Sequence, residues 1–274
     1  MIKVNLLKTI YSTIILYLKY YKDIKLNKKL ANNYKGNVYL LGSGPSMKNL
    51  DLSSLKNKNC IFLNNFIAHP SFSTISTNSS NKESLNFYLI APIHPPQTKD
   101  LWLLWLKEID AKVPDDMIMV FGINARNMNT KSIVERNNLF RKNKIYYFYA
   151  GNYSENIKPS KIDMSKNVIG SETVSLYAIY FSLYLGFNEI NLLGMDHNYL
   201  LYDKTSEMRM FESATHQDGS GNDGFASENM YKEYLRQYKI FKKYTKLNIL
   251  YPNRIFNYTR GGLLNIFKRK NFSE

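Results

Sequence analysis

The apolar run Val38-Tyr39-Leu40-Leu41 ends in Gly42-Ser43-Gly44-Pro45-Ser46, and a second run, Cys60-Ile61-Phe62-Leu63, closes on Asn64-Asn65. A short apolar run that stops at paired glycines reads as a buried parallel strand entering a tight turn, and the distance to the next run suits a crossover connection. Glycines there let backbone N–H groups approach a phosphate closely. Pro45 has no N–H to lose and suits the first turn of a helix, which Ser46 is expected to cap. The motif lacks the third glycine of the dinucleotide fingerprint and the Gly-Lys-Ser/Thr of a P-loop. By itself it is equally an ordinary strand-to-helix turn.

The surroundings add weight. Strand patterns are expected at 38–41, 61–63, 86–90, 117–121, 145–148, 190–193 and 247–250, with helical patterns at 101–109, 130–140, 171–185 and 227–244. The Ser/Thr/Asn-rich stretch 71–81 reads as a surface loop. In the clearest unit, Ser171, Glu172 and Thr173 open an apolar helix, Gly186 ends it, and the strand Ile190-Asn191-Leu192-Leu193 stops at Gly194-Met195-Asp196. Ligands of open α/β sheets bind beyond the carboxyl ends of strands, so Asp196 and the Gly42–Ser46 loop are expected on one rim. Regularity then disappears over about 197–226, where a lid is expected. The fold class is therefore α/β: a Rossmann-like, mostly parallel sheet with helices on both faces. It occupies residues 36–274 as a single nucleotide-binding domain, with a basic tail at 254–274 and a basic helical segment at 1–35.

Charge points to a partner. The formal net charge is +15, and residues 1–35 carry Lys3, Lys8, Lys19, Lys22, Lys25, Lys28, Lys29 and Lys35 against Asp23 alone. Leu6, Leu7, Ile10, Ile14 and Leu18 recur at helical spacing among these lysines, the pattern of an interfacial amphipathic helix. The alternative is a helix docked on the protein's own core with a solvated lysine face. The longest uncharged run, Thr9 to Leu18, is about half a membrane span. No small-x-small cleavage site follows, so the segment is read as retained. Together with Arg254, Arg260, Lys268, Arg269 and Lys270 near the other end, it suggests an anionic membrane surface as partner. Nucleic acid ranks low, because the aromatic residues are spread along the chain rather than interleaved with arginine. The lone Cys60 excludes a disulfide framework, and His69, His94, His197 and His216 show no metal-ligand spacing, so no metal cofactor is expected.

The order of motifs resembles the bacterial lipooligosaccharide sialyltransferases that use CMP-sialic acid. It does so through Gly42-Ser43-Gly44-Pro45-Ser46, Asn64-Asn65, Gly170-Ser171-Glu172-Thr173, Leu185-Gly186-Phe187-Asn188-Glu189-Ile190, Gly194-Met195-Asp196-His197-Asn198-Tyr199 and His216. The same skeleton is similar to a broader group of polysaccharide-cluster proteins related to 6-hydroxymethylpterin diphosphokinases, with Phe256-Asn257-Tyr258-Thr259-Arg260-Gly261-Gly262-Leu263 and His94-Pro95-Pro96 closer to that group. The first resemblance implies a GT-A-like variant of the fold. It implies an inverting, metal-independent transfer of an acidic sugar, sialic acid or Kdo-like, from a CMP donor to a cell-surface glycan or lipid-linked acceptor. The setting it implies is cytoplasmic, on the inner face of the cell membrane.

On that resemblance Gly42, Ser43, Gly44 and Ser46 hold the donor phosphate and ribose, Asn64 and Asn65 bond ribose or base, and Ser171 or Thr173 faces the phosphate or the sugar carboxylate. Asp196 binds the nucleotide, Tyr199 and Tyr202 donate to the leaving phosphate, and His216 is the general base. The chain departs from the family pattern at Asn198, where a tyrosine is expected, and at Lys166-Asn167-Val168-Ile169, where an arginine is missing. His197 is a rival base, and His94 is either an acceptor contact or a packed loop residue. Trp102 and Trp105, at helical spacing, read as core or membrane-facing rather than as a sugar platform. A magnesium- and ATP-dependent diphosphokinase-like enzyme and a non-catalytic membrane-docking scaffold are the alternatives, and homo-oligomerisation stays open.

Overall fold

A computed structural model describes residues 2–77, 84–94, 97–126, 129–154, 157–159, 162–201, 209–211 and 227–272. Among them nine strands form one sheet: β1 (Asn37–Leu41), β2 (Cys60–Leu63), β3 (Asn86–Ile90), β4 (Ile118–Ile123), β5 (Lys144–Asn152), β6 (Asn167–Ile169), β7 (Glu189–Leu193), β8 (Ile255–Asn257) and β9 (Lys268–Arg269). Their order is β6-β5-β4-β3-β2-β1-β7-β8-β9, and every neighbouring pair is parallel. The chain steps outward from β1 to β6, then returns to lay β7 on the other side of β1. The sheet therefore reverses its winding between β1 and β7, where such folds open a crevice at the carboxyl ends.

Helices cover both faces, so the protein is an α/β fold of Rossmann-like type. Alternate residues of each central strand feed two separate cores. Val38, Leu40, Ile61 and Leu63 pack with α6 (Val174–Leu185) and α7 (Ser227–Leu250), while Leu41, Cys60 and Phe62 pack with α3 (Phe72–Ser76), α4 (Lys99–Lys112) and α5 (Thr130–Arg136). Helix α6 is apolar all round and is buried from Ser175 to Leu185, as such a helix must be. Gly186 ends it with φ +102°, a left-handed cap that suits glycine. Ahead of β1, α1 (Ile2–Ile15), a π-helical turn (Leu16–Tyr20) and α2 (Tyr21–Lys25) lie against β5.

Several expectations need correction. Residues 247–250 belong to α7, not to a strand: Ile240, Tyr244 and Leu247 continue one buried helical face, and the turn residues at Pro252-Asn253 come only after it. The final strands are β8 and β9, too short to show a period. The helix expected over 130–140 stops at Arg136, because Asn138 and Phe140 adopt positive φ, 52° and 56°. Within the Ser/Thr/Asn stretch, Phe72 and Ile75 are buried on a five-residue helix, so part of that segment is core rather than loop. No long helix follows β1. Pro45–Met47 is a single 3-10 turn with Gly44 at its N-cap, and Ser46 does not cap it. Much of the expected lid, with Tyr202 and His216, lies outside the described residues.

Candidate functional site

The glycine loop and the Asp196 loop meet at the reversal point, and their contact explains the residues used. Gly42 N donates to Leu193 O (2.8 Å) and Gly44 N to Gly194 O (3.1 Å), so the β1–β7 pairing continues into the loops. A Cβ on Gly42 would stand 2.6 Å from Gly194 O, and one on Gly44 would stand 1.8 Å from Asp196 Oδ2. The second glycine is therefore required by a neighbouring carboxylate, since its own φ is an ordinary −66°. Asp196 accepts from Ser46 N (3.2 Å, Oδ1) and from Ser46 Oγ (2.9 Å, Oδ2). Desolvation raises the Asp196 pKa from its ordinary value, opposed by those bonds from Ser46. The carboxylate expected to contact nucleotide thus fixes the shape of the glycine loop, and the Ser46 hydroxyl is engaged in the same contact.

Asp196 is itself held from behind. Leu263 N donates to Asp196 O (2.8 Å), Thr259 Oγ1 accepts from Met195 N (3.1 Å), and Gly262, at φ +70°, lies against the Asp196 backbone. The Thr259–Leu263 segment, which the sequence offered only as a resemblance, is the buttress of this rim.

Around the two loops opens a cavity of about 1000 Å³. It receives Gly42, Ser43, Gly44, Asn64, Asn65, Ser171, Thr173, Asp196 and Tyr199, so the described site residues expected from sequence share one space, with only Ser46 behind the loop. Asn64, at φ +47°, closes β2, and its backbone carbonyl accepts from the Tyr88 hydroxyl. Asn65 is buried and its Oδ1 accepts from Trp105 Nε1, while its Nδ2 has no partner among the described residues. That nitrogen is closed off from the cavity as well, so Asn65 holds the Trp105 ring in place rather than presenting its amide to a ligand. Trp102 and Trp105 are core residues packed edge to face at 5.2 Å, and Trp105 orients that amide.

The opposite wall is the start of α6. Thr173 is its N-cap residue without a side-chain cap bond, and Gly170 to Ser175 line the cavity. The positive end of the helix therefore faces it. From Thr173 a chain of hydrogen bonds runs inward, Thr173 Oγ1 to Ser175 Oγ (2.9 Å), to Tyr244 Oη (2.5 Å), to His197 Nε2 (2.8 Å). His197 is buried, and desolvation, with Arg236 and Arg209 adding to it, pushes its pKa down to about 3. The ring is neutral and a weak proton acceptor.

The positive charge of the cavity was not anticipated residue by residue. Arg126, Arg209, Arg236, Lys239, Lys242 and Lys243 line it, against Glu172 and Asp196. The guanidinium groups of Arg209 and Arg236 both stand against the Tyr199 ring, at 5.2 and 5.0 Å from its centre, and the Tyr199 hydroxyl accepts from Arg209 Nη1 (2.9 Å). Lys243 bonds Glu172 (2.8 Å) and Gly170 O (2.7 Å), which ties α7 to the start of α6. The signal was available: Arg236, Lys239 and Lys243 stand at i, i+3 and i+7 on one face of α7.

A helix N-terminus and clustered cations around one cavity of mixed polar and apolar lining make an arrangement that can receive an anion, whereas Gly42 N, Gly44 N and Ser46 N are already bonded within the protein. Among the described residues no three His, Cys, Asp or Glu side chains converge as a metal-ligand group, and no helix is long and apolar enough to cross a membrane. No family model, curated protein or solved structure matches the chain.

Proposed function

We propose that the protein is a glycosyltransferase that moves an acidic sugar, sialic acid or Kdo-like, from a CMP donor to a cell-surface glycan or lipid-linked acceptor. On this reading it is sialyltransferase-like, bacterial, inverting and independent of metal, and works at the inner face of the membrane. One observation carries it: the glycine loop, shaped by Asp196, faces a cationic cavity at the winding reversal of a parallel sheet. The N-terminus of α6 and the cations of the cavity suit the donor phosphate, and Asn64, half-buried on the cavity wall, suits a ribose or base oxygen.

In the reaction the acceptor hydroxyl oxygen attacks the anomeric carbon as the bond from that carbon to the phosphate oxygen breaks. Its electron pair departs with CMP, and the acceptor proton passes to a base. Negative charge grows on the leaving phosphate, where Arg209, Arg236 and the Tyr199 hydroxyl beside Arg209 are suited to stabilise it. The depressed basicity of His197 favours His216 for the base role.

Thermal melting with CMP, UDP, GDP and ATP, each with and without Mg²⁺, tests the proposal. CMP is expected to raise Tm in both conditions and by more than the others. A response to ATP that requires Mg²⁺ would favour diphosphokinase chemistry, and no response to any nucleotide would overturn the reading.

A further inference from the structure

Helix α1 is docked inside out. Its polar side faces the protein: Thr9 Oγ1 accepts from Tyr153 N (3.1 Å), Ser12 Oγ donates to Tyr149 Oη (3.0 Å), and Thr13 Oγ1 accepts from Asn167 Nδ2 (2.9 Å). Ser12 is 1% exposed and sits so close to β5 that a Cβ on Gly151 would stand 1.7 Å from its Oγ. The apolar side faces out, with Leu7 68%, Ile14 51% and, on the following turn, Leu18 79% exposed, and Leu6, Ile10, Tyr11 and Tyr17 beside them. A helix normally buries that stripe and solvates the polar one. An apolar row left outward along the whole element marks a contact surface.

The charge around it says which kind. Lys8, Lys19, Lys22 and Lys25 are exposed along this segment, and Asp23, the only acid between residues 2 and 25, is bonded to Lys131 (3.2 Å). Two copies meeting face to face would bring these lysines together, which is unfavourable, whereas an anionic lipid surface takes both the lysines and the apolar row. Tyrosines along the row suit the headgroup region. We infer that the outward face of α1 docks on the interfacial region of an anionic bilayer. Asn5 of the same helix lines the cavity, and Thr9 is bonded to the cavity residue Tyr153, so docking brings the mouth of the cavity to the lipid surface.

Flotation of the full chain with phosphatidylcholine vesicles, with and without phosphatidylglycerol, tests this against the variant carrying Leu7→Glu and Ile14→Glu. The wild type is expected on the anionic vesicles, with binding weakened by salt, and the variant is expected to bind at least about a hundredfold more weakly. Leu18→Glu, alone on the most exposed position, is expected to cost about tenfold and supplies the result if the double variant does not fold. Equal binding of wild type and variants, or none by the wild type, would overturn the inference. So would a wild-type dimer that the variants turn into monomer. The CMP melting shift, measured without lipid, reports the cavity separately: its absence beside intact vesicle binding would remove the donor reading and leave this one standing.

Discussion

Gly44→Ala should be among the most damaging conservative changes in the molecule, and the reason is one distance. The new methyl would lie 1.8 Å from Asp196 Oδ2, 2.8 Å from its Cγ and 2.7 Å from Gly194 O. These neighbours cannot all move, because Gly194 O accepts from Gly44 N and the Asp196 backbone is pinned by Leu263 N. Relief requires the carboxylate to swing away, which breaks its bonds from Ser46 N and Ser46 Oγ and leaves a buried charge without them. Overpacking of this kind costs about 1–3 kcal/mol, and a hydrogen bond to a charged group contributes about 1.5–3 kcal/mol. With partial relaxation of the loop the expected loss is about 3 kcal/mol, a fall in Tm of roughly 6–12 °C for a chain of this size. Guanidinium denaturation gives the free energy directly. Gly170→Ala is the control from the same cavity, since its Cβ would meet only Asn152 O at 3.7 Å. In an Asp196→Ala background the cost of Gly44→Ala should shrink, because the largest clash has been removed. A loss below about 0.5 kcal/mol for Gly44→Ala, or full additivity of the two changes, would refute the argument that the carboxylate dictates the glycine.

His197 gives acid sensitivity a definite sign. Its folded pKa of about 3 lies below the ordinary histidine value, so between these limits the unfolded chain binds a proton that the folded chain does not, and stability falls as pH falls. From pH 7 to 4.5 the ring's share of the loss is about 2.5 kcal/mol. His69, also lowered by desolvation, acts in the same direction. The comparison that isolates His197 is therefore wild type against His197→Asn, whose pH dependence should be shallower; equal slopes would show that the ring is not held neutral. Trp105→Phe should destabilise the fold by about 1–3 kcal/mol, because it leaves the buried Asn65 Oδ1 without its donor; a guanidinium midpoint equal to wild type would show that this bond contributes nothing.

The rim was legible because its elements announce themselves locally. Val38–Leu41 and the mostly apolar Ile190–Leu193 each end at glycine, and that suffices to place both loops at the carboxyl edge of a parallel sheet. What stayed hidden depends on contacts between distant segments. That Asp196 would bond Ser46, 150 residues away, is not encoded in either motif alone. Residues 247–250 read as a strand because a short, mostly apolar stretch, Leu247-Asn248-Ile249-Leu250, fits strand and helix alike. For α1 the period correctly showed an amphipathic helix, yet amphipathicity does not say which side meets the protein. Thr9, Ser12 and Thr13 found partners on the loop after β5, on β5 and on β6 respectively, and the leucines did not.

The claim on which the rest depends is that donor binding occurs at the reversal point between β1 and β7. Hydrogen exchange with and without CMP locates the site directly. Slowed exchange confined to Gly42–Met47, Gly170–Ser175 and Gly194–Asn198 is the expected footprint. Protection by CMP elsewhere on the molecule, with these three segments unchanged, would contradict the account.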